Sequence, residues 1–206
     1  MYLPDARRCY ERAEALCHSL DRPLDLYLAL MGQWRYFLMT EKLSVAFRIA
    51  KRIHALAQKQ PDARLMIGAY NVMANTPFWM GDFEAARQNQ KRVFTILRSG
   101  HARSQFEEVD SQAVSCLCHE GLFRWHFGKA STCRAPIGEA ISLAKELNDM
   151  HGLAVALNIA AILAQLERKS SEVERLASEL IELSTRQCFR HWFALGPSST
   201  VSDILF

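Results

Sequence analysis

The chain lacks a long apolar run, a stripe of one charge, a paired-cysteine framework and a convergent catalytic set, and each lack removes a class of function. Its most apolar stretch, residues 152–166, is interrupted by Asn158 and is too short for a bilayer, which takes about 20 apolar residues. The first eight residues, Met1-Tyr2-Leu3-Pro4-Asp5-Ala6-Arg7-Arg8, are polar and lack the apolar centre of a secretory signal, so the cytoplasm is the expected location. A net charge of +3 on 206 residues, 23% of them charged, falls well short of the basic footprint of a nucleic-acid or membrane-surface binder. Arg7-Arg8, Lys51-Arg52 and Lys91-Arg92 are isolated pairs and read as solvated helix faces. Cys116 and Cys118 point to different faces of one predicted helix, and Cys9 and Cys17 lie eight apart on another, so neither pair bridges locally and all six cysteines are expected to be reduced.

The apparent motifs fail on their own chemistry. Gly128-Lys129-Ala130-Ser131 superficially resembles the end of a phosphate-binding loop. That loop needs a glycine where this chain has Phe123, a Ser or Thr where it has Ala130, and a strand where a helix is predicted. Cys116, Cys118, His119 and His126 cluster within eleven residues, but on one helix Cys118 and His119 diverge by about 100° and Cys116 and Cys118 by about 200°, so a tetrahedral zinc site does not close. These are expected to be core cysteines and rim histidines. No Ser or Cys nucleophile stands in register with a His and an acid, and Glu107-Glu108 with Asp110 reads as solvated loop charge. No catalytic residue, metal or cofactor is expected.

What is present is a repeat. Phe78-Trp79-Met80-Gly81-Asp82-Phe83-Glu84-Ala85-Ala86 is a helix end, a glycine turn and a helix start. Degraded copies place Ala46, Cys133 and Val173 where Ala86 stands, with a half-copy at Ala6, at offsets of 40, 40, 47 and 40 residues. Such a period belongs to stacked helical hairpins that bury their apolar faces only against one another. Apolar residues at spacings of three and four predict an all-α, right-handed superhelix of antiparallel hairpins. It forms one domain over 1–206, with hairpins at about 24–60, 63–97, 110–147 and 149–186, an orphan half-repeat at 5–20 and an irregular tail at 196–206. Asp82 and Asp110 are placed to cap helices, and Ser171-Glu172-Val173-Glu174 has capping-box spacing. Gly121 would admit a neighbouring helix, and Pro136, about one turn into its helix, is expected to cost a hydrogen bond or a kink. The polar stretch 98–109 accounts for the longer interval, and 190–195 reads as the start of another first helix, stopped by Gly196-Pro197.

The segments Gly32-Gln33-Trp34-Arg35-Tyr36-Phe37-Leu38, Phe78 through Ala86, and Ala140-Ile141-Ser142-Leu143-Ala144-Lys145-Glu146-Leu147 lie in stretches (28–60, 69–97 and 116–147) that resemble the tetratricopeptide-like (MalT-like) repeat region of large bacterial signalling ATPases. In that family a nucleotidyl cyclase, a protein kinase or a LuxR-type DNA-binding domain accompanies an ATPase core. The resemblance implies a repeat scaffold whose partner is another protein or a covalently linked ATPase or cyclase domain. None of those catalytic segments is present in the sequence, and the unpaired helix at 5–20 leads to the expectation of a fragment or remnant of a longer protein.

Counting back from Ala86 and its equivalents sets Arg35, Asn71, Asn75, Trp79, Cys118, Trp125, His126, Asn158 and Gln165 toward the concave side. Aromatic rings supply contact area and amides pair with backbone-like groups, which suits an extended peptide or a small polar ligand. The expected function is therefore non-catalytic protein–protein interaction, with a small-ligand sensor, or part of a cyclase or ATPase enzyme, as alternatives. The open apolar face of the 5–20 helix adds self-association as a further expectation.

Overall fold

The computed structural model describes residues 3–98 and 110–189, and among these every regular element is helical. In chain order they are α1 (Leu3–Ser19), α2 (Pro23–Met39), α3 (Leu43–Ala57), α4 (Ala63–Trp79), α5 (Phe83–Arg98), α6 (Asp110–His126), a 3-10 turn (Ala130–Thr132), α7 (Arg134–Glu146), α8 (Met150–Leu166) and α9 (Ser170–Arg186). The chain forms two compact units, Met1–Ser104 with α1–α5 and Gln105–Phe206 with α6–α9. The division falls where the repeat interval lengthens from 40 to 47 residues. Residues 99–109, the helix start expected at 190–195 and the tail 196–206 lie outside the described residues.

The 40-residue period resolves into a 20-residue module of one helix and one turn. In the first unit helices begin at residues 3, 23, 43, 63 and 83; in the second they begin at 110, 150 and 170, with the 3-10 turn at 130. Most run for 17 residues, about 25 Å at 1.5 Å per residue. The turns close alike. The residue after the left-handed one donates its N–H back to the carbonyl five residues earlier: Arg22 to Cys17, Lys42 to Phe37, Asp82 to Pro77, Lys129 to Arg124, Asp149 to Ala144, Lys169 to Ala164 and Phe189 to Ser184, at 2.8–3.0 Å. This closure satisfies carbonyls that a helix end otherwise leaves orphaned. Gly81 and Gly128 take the left-handed position at φ of 84° and 72°, while Asp21, Glu41, Asn148, Arg168 and Cys188 occupy it at 50–58°. At the α3–α4 link the equivalent residue is Pro61. Its ring forbids positive φ, and Asp62 there caps α4 by accepting from the Arg64 N–H at 2.8 Å.

Burial follows one pattern along the second helices. Ala46, Ile49, Ala50, Ile53 and Ala57 of α3 recur as Cys133, Pro136, Ile137, Ala140 and Ala144 at and within α7, and as Val173, Leu176, Ala177, Leu180 and Ser184 of α9, all buried. The spacing of 0, 3, 4, 7 and 11 is one face of an α-helix, and the small residue at its head lets two helices meet. Among first helices, α2 is tied to α4 inside the core. The Trp34 indole donates to the Thr76 hydroxyl at 2.8 Å, which donates to the Val72 carbonyl at 2.9 Å, and the Tyr27 hydroxyl donates to the Leu65 carbonyl at 3.1 Å.

Two sequence expectations change. The last hairpin's second helix starts at Ser170 with Lys169 as an N-cap lacking a side-chain bond, so Ser171 lies inside the first turn and no capping box forms. The third hairpin's second helix starts at Arg134 after the 3-10 turn. Pro136 therefore lies in the first turn, where backbone N–H groups have no intrahelical acceptor to lose. In α1, Cys9 and Leu16 are exposed and Ala6 and Ala13 half-buried, and Leu20 just after it is exposed, as expected of a second helix without its first, while the Tyr10 ring lies against Gly32. Asp82 does cap α5, accepting from the Ala85 N–H at 3.1 Å.

Candidate functional site

The sequence-derived residues fall in both units. In the first unit Arg35 is exposed on α2, and Trp79, the last residue of α4, is 44% exposed. Trp79 stands edge-on to Phe78 with centroids 5.3 Å apart, so it is an exposed ring braced from one side and not a core anchor. Asn71 and Asn75 are 4% and 3% exposed, and the Asn75 amide donates to the Asn71 side-chain oxygen at 3.3 Å. One helical turn separates them, and burial closes this pair to solvent.

In the second unit Trp125, Asn158 and Gln165 are half-buried, His126 is exposed and Cys118 is fully buried. Cys118 thus leaves the expected concave set. His119, expected at the rim, is instead 7% exposed, with Nδ1 2.7 Å from the Ser115 carbonyl, which assigns the proton to Nδ1. Burial pulls its pKa down to about 4, against the upward pull of that hydrogen bond. Burial likewise pushes the Cys116 thiol far above its ordinary value and the Cys118 thiol up to about 12, so neither supplies a thiolate near neutrality. All six cysteines are free. Among the described residues no group of three or more His, Cys, Asp or Glu side chains is placed to hold a metal ion, and no helix is long and apolar enough to cross a membrane.

The tertiary structure adds residues that composition did not single out. Met39 is 47% and Met80 46% exposed. Met39 occupies in α2 the position of Trp79 in α4, 40 residues on, so the repeat frame already contained this signal. Two polar clusters lock helices together without forming a reaction centre. Glu14 of α1 accepts from Gln33 of α2 and Arg52 of α3; burial raises its pKa, but those bonds outweigh burial and hold it below the ordinary carboxylate value. Arg134 at the start of α7 bonds both Glu167 after α8 and Glu172 in α9, and the Arg134 bond is the main cause of a Glu167 pKa of about 2.

No protein-family model matches the chain, and no curated protein matches it. Among solved structures it is similar to BtubC (BKLC) from P. vanneervenii, with a TM-score of 0.63 over 90% of this chain and 75% of that one, at 12% identity. A likeness at that identity speaks for the helical fold alone.

Proposed function

We propose that the chain is a non-catalytic helical-repeat scaffold for protein–protein interaction, the regulatory or sensor portion of a bacterial signal-transduction ATPase. The observation that carries the proposal is the ledge where α2 and α4 end. The Trp34–Thr76 bond holds these helices side by side near their C-termini, and Met39, Trp79 and Met80 stand there roughly half in water. Taking an exposed apolar side chain of that size fully out of water gains about 1.5–3 kcal/mol, and covering one already half buried gains about half of that. Thioethers adapt to varied surfaces and an indole ring supplies rigid contact area, as interaction faces require. The assignment to a signalling ATPase rests on the resemblance of the segments around Trp34, Trp79 and Ile141. A small-ligand sensor reading draws no comparable support, because Asn71 and Asn75 are buried.

The test is calorimetric titration of the chain with the ATPase or cyclase core of such a signalling protein. Binding that weakens at least tenfold in a Met39→Ser, Trp79→Ser double variant supports the proposal. Absence of binding, together with substrate turnover by the purified chain alone, would sink it.

A further inference from the structure

In the second unit α7 and α9 flank α8 without closing over it, leaving a groove with two hollows of about 160 and 130 Å³. Leu153, Leu157 and Leu183 form the apolar part of the first; Ile137, Ile141, Ala160, Leu163 and Leu176 form that of the second. Between the midpoints of their α8 residues lie six to seven helical positions, about 10 Å at 1.5 Å per residue.

The first unit shows how the same repeat positions look when the groove is filled from within. There Tyr70 takes the place of Leu157, and its ring lies 5.1 Å from the His54 ring of α3 and 5.4 Å from the Arg92 guanidinium of α5. The second unit has Ile141 and Glu179 at those flanking positions, each lining one of the hollows, with no aromatic ring at the position of Tyr70. The second hollow is also lined by Gly138, which has no side chain where the equivalent position of α3 carries Lys51. A glycine inside a helix costs about 1 kcal/mol relative to alanine. At Gly121 that cost has a packing reason, since a Cβ would meet Ile137 at 2.5 Å. At Gly138 a Cβ would meet nothing within 4 Å. A local rule broken without an internal packing reason marks a functional position.

The rim charges select the occupant. Arg134 is held by Glu167 and Glu172, Arg175 by Glu179, and Arg186 by Glu182. Lys145 lines the first hollow beside the Glu179–Arg175 and Glu182–Arg186 pairs and itself pairs with no carboxylate among the described residues. We infer that the α7–α9 groove docks an amphipathic helix of a protein partner, which sets apolar side chains two turns apart into the two hollows and a carboxylate against Lys145. The inference rests on the scaffold reading and supplies the chemistry of one partner. A helix presents side chains at i and i+7 about 10.5 Å apart on one face, which matches the separation of the hollows.

The experiment pans a phage-displayed library of helical 16-residue peptides on the full chain, counter-selecting on a Gly138→Lys chain, and measures enriched peptides by calorimetry. The expected peptides carry apolar residues at i and i+7 with Asp or Glu on one flank. Gly138→Lys, which places the side chain of the equivalent α3 position at the edge of the second hollow, is expected to weaken them at least tenfold. Lys145→Glu, at an exposed site with no ion pair to lose, is expected to weaken them and shift preference to basic peptides. No enrichment over the Gly138→Lys chain overturns the inference. Peptides weakened by Trp79→Ala but by neither groove variant overturn it while leaving the scaffold reading intact, whereas failure of the signalling-core titration with groove peptides still binding does the reverse.

Discussion

His119 is the residue whose environment departs furthest from its reading in the sequence. With its ring sealed from water and Nδ1 bonded to the Ser115 carbonyl, it stays neutral in the folded chain down to about pH 4. Above its ordinary value of about 6.5 both folded and unfolded chains carry neutral imidazole. As pH falls from there toward 4, the unfolded chain takes up a proton that the folded chain refuses, so stability declines. The full gap corresponds to a loss of about 3 kcal/mol at 1.36 kcal/mol per pH unit. Thermal unfolding followed from pH 7 to pH 4 is expected to show the midpoint falling across this window. His119→Gln is expected to flatten that fall, and an unchanged slope in the variant would assign it elsewhere. A second decline belongs to Glu167, whose pKa of about 2 means that its bonds to Arg134 contribute fully above about pH 4.5 and fade as pH drops toward 2. Arg134→Gln is expected to remove that second decline while leaving the first.

Between helices the repeated turn is the unit of construction, and its sequence tolerance has a measurable cost. Arg168 at φ 57° holds a conformation that a side chain disfavours by about 1–2 kcal/mol and glycine accepts freely. Arg168→Gly is expected to raise stability by about 1 kcal/mol in urea denaturation, a gain trimmed by the greater freedom of the unfolded glycine. Two helix glycines of the second unit, Gly121 and Gly138, should behave oppositely to each other. Gly121→Ala drives a methyl to 2.5 Å from Ile137 and 2.7 Å from the Cys133 carbonyl oxygen, and the α6–α7 crossing must part at a cost of about 1–3 kcal/mol. Gly138→Ala meets open space and should stabilise by about 0.5–1 kcal/mol. Paired denaturation curves check both signs, and two changes of the same sign would refute the packing described.

Across the molecule, each unit is held by contacts between neighbouring helices, as expected of stacked hairpins. Leu180 of α9 is fully buried, and Leu180→Ala is expected to cost about 2–5 kcal/mol through the lost burial and the cavity it leaves. Hydrogen exchange should rise first in α8 and α9, because α9 packs on α8. A rise beginning in α2 and α3 instead would contradict a nearest-neighbour core.

The helices themselves were legible in the sequence because their apolar residues recur at three and four. The head-of-helix position was legible too: Ala46, Ala86, Cys133 and Val173 are all buried as the repeat implied, since only small or compact side chains allow that crossing. Gly81 with Asp82 announced its turn, because one residue supplies positive φ and the next a capping carboxylate. What lay beyond the sequence arises from side chains meeting across distant segments. Trp34 finds Thr76 over 42 residues and Arg134 finds Glu167 over 33, and no local spacing encodes either pair. The candidate groove residues divided for the same reason. A helical count fixes the face on which Asn75 and Trp79 sit, but only the packing of neighbouring helices decides that the amide is buried and the ring exposed. The sequence by itself determined a helical repeat and its period of about 40 residues. The tertiary structure decided which positions of that repeat reach water, because exposure depends on what the adjoining helices leave uncovered.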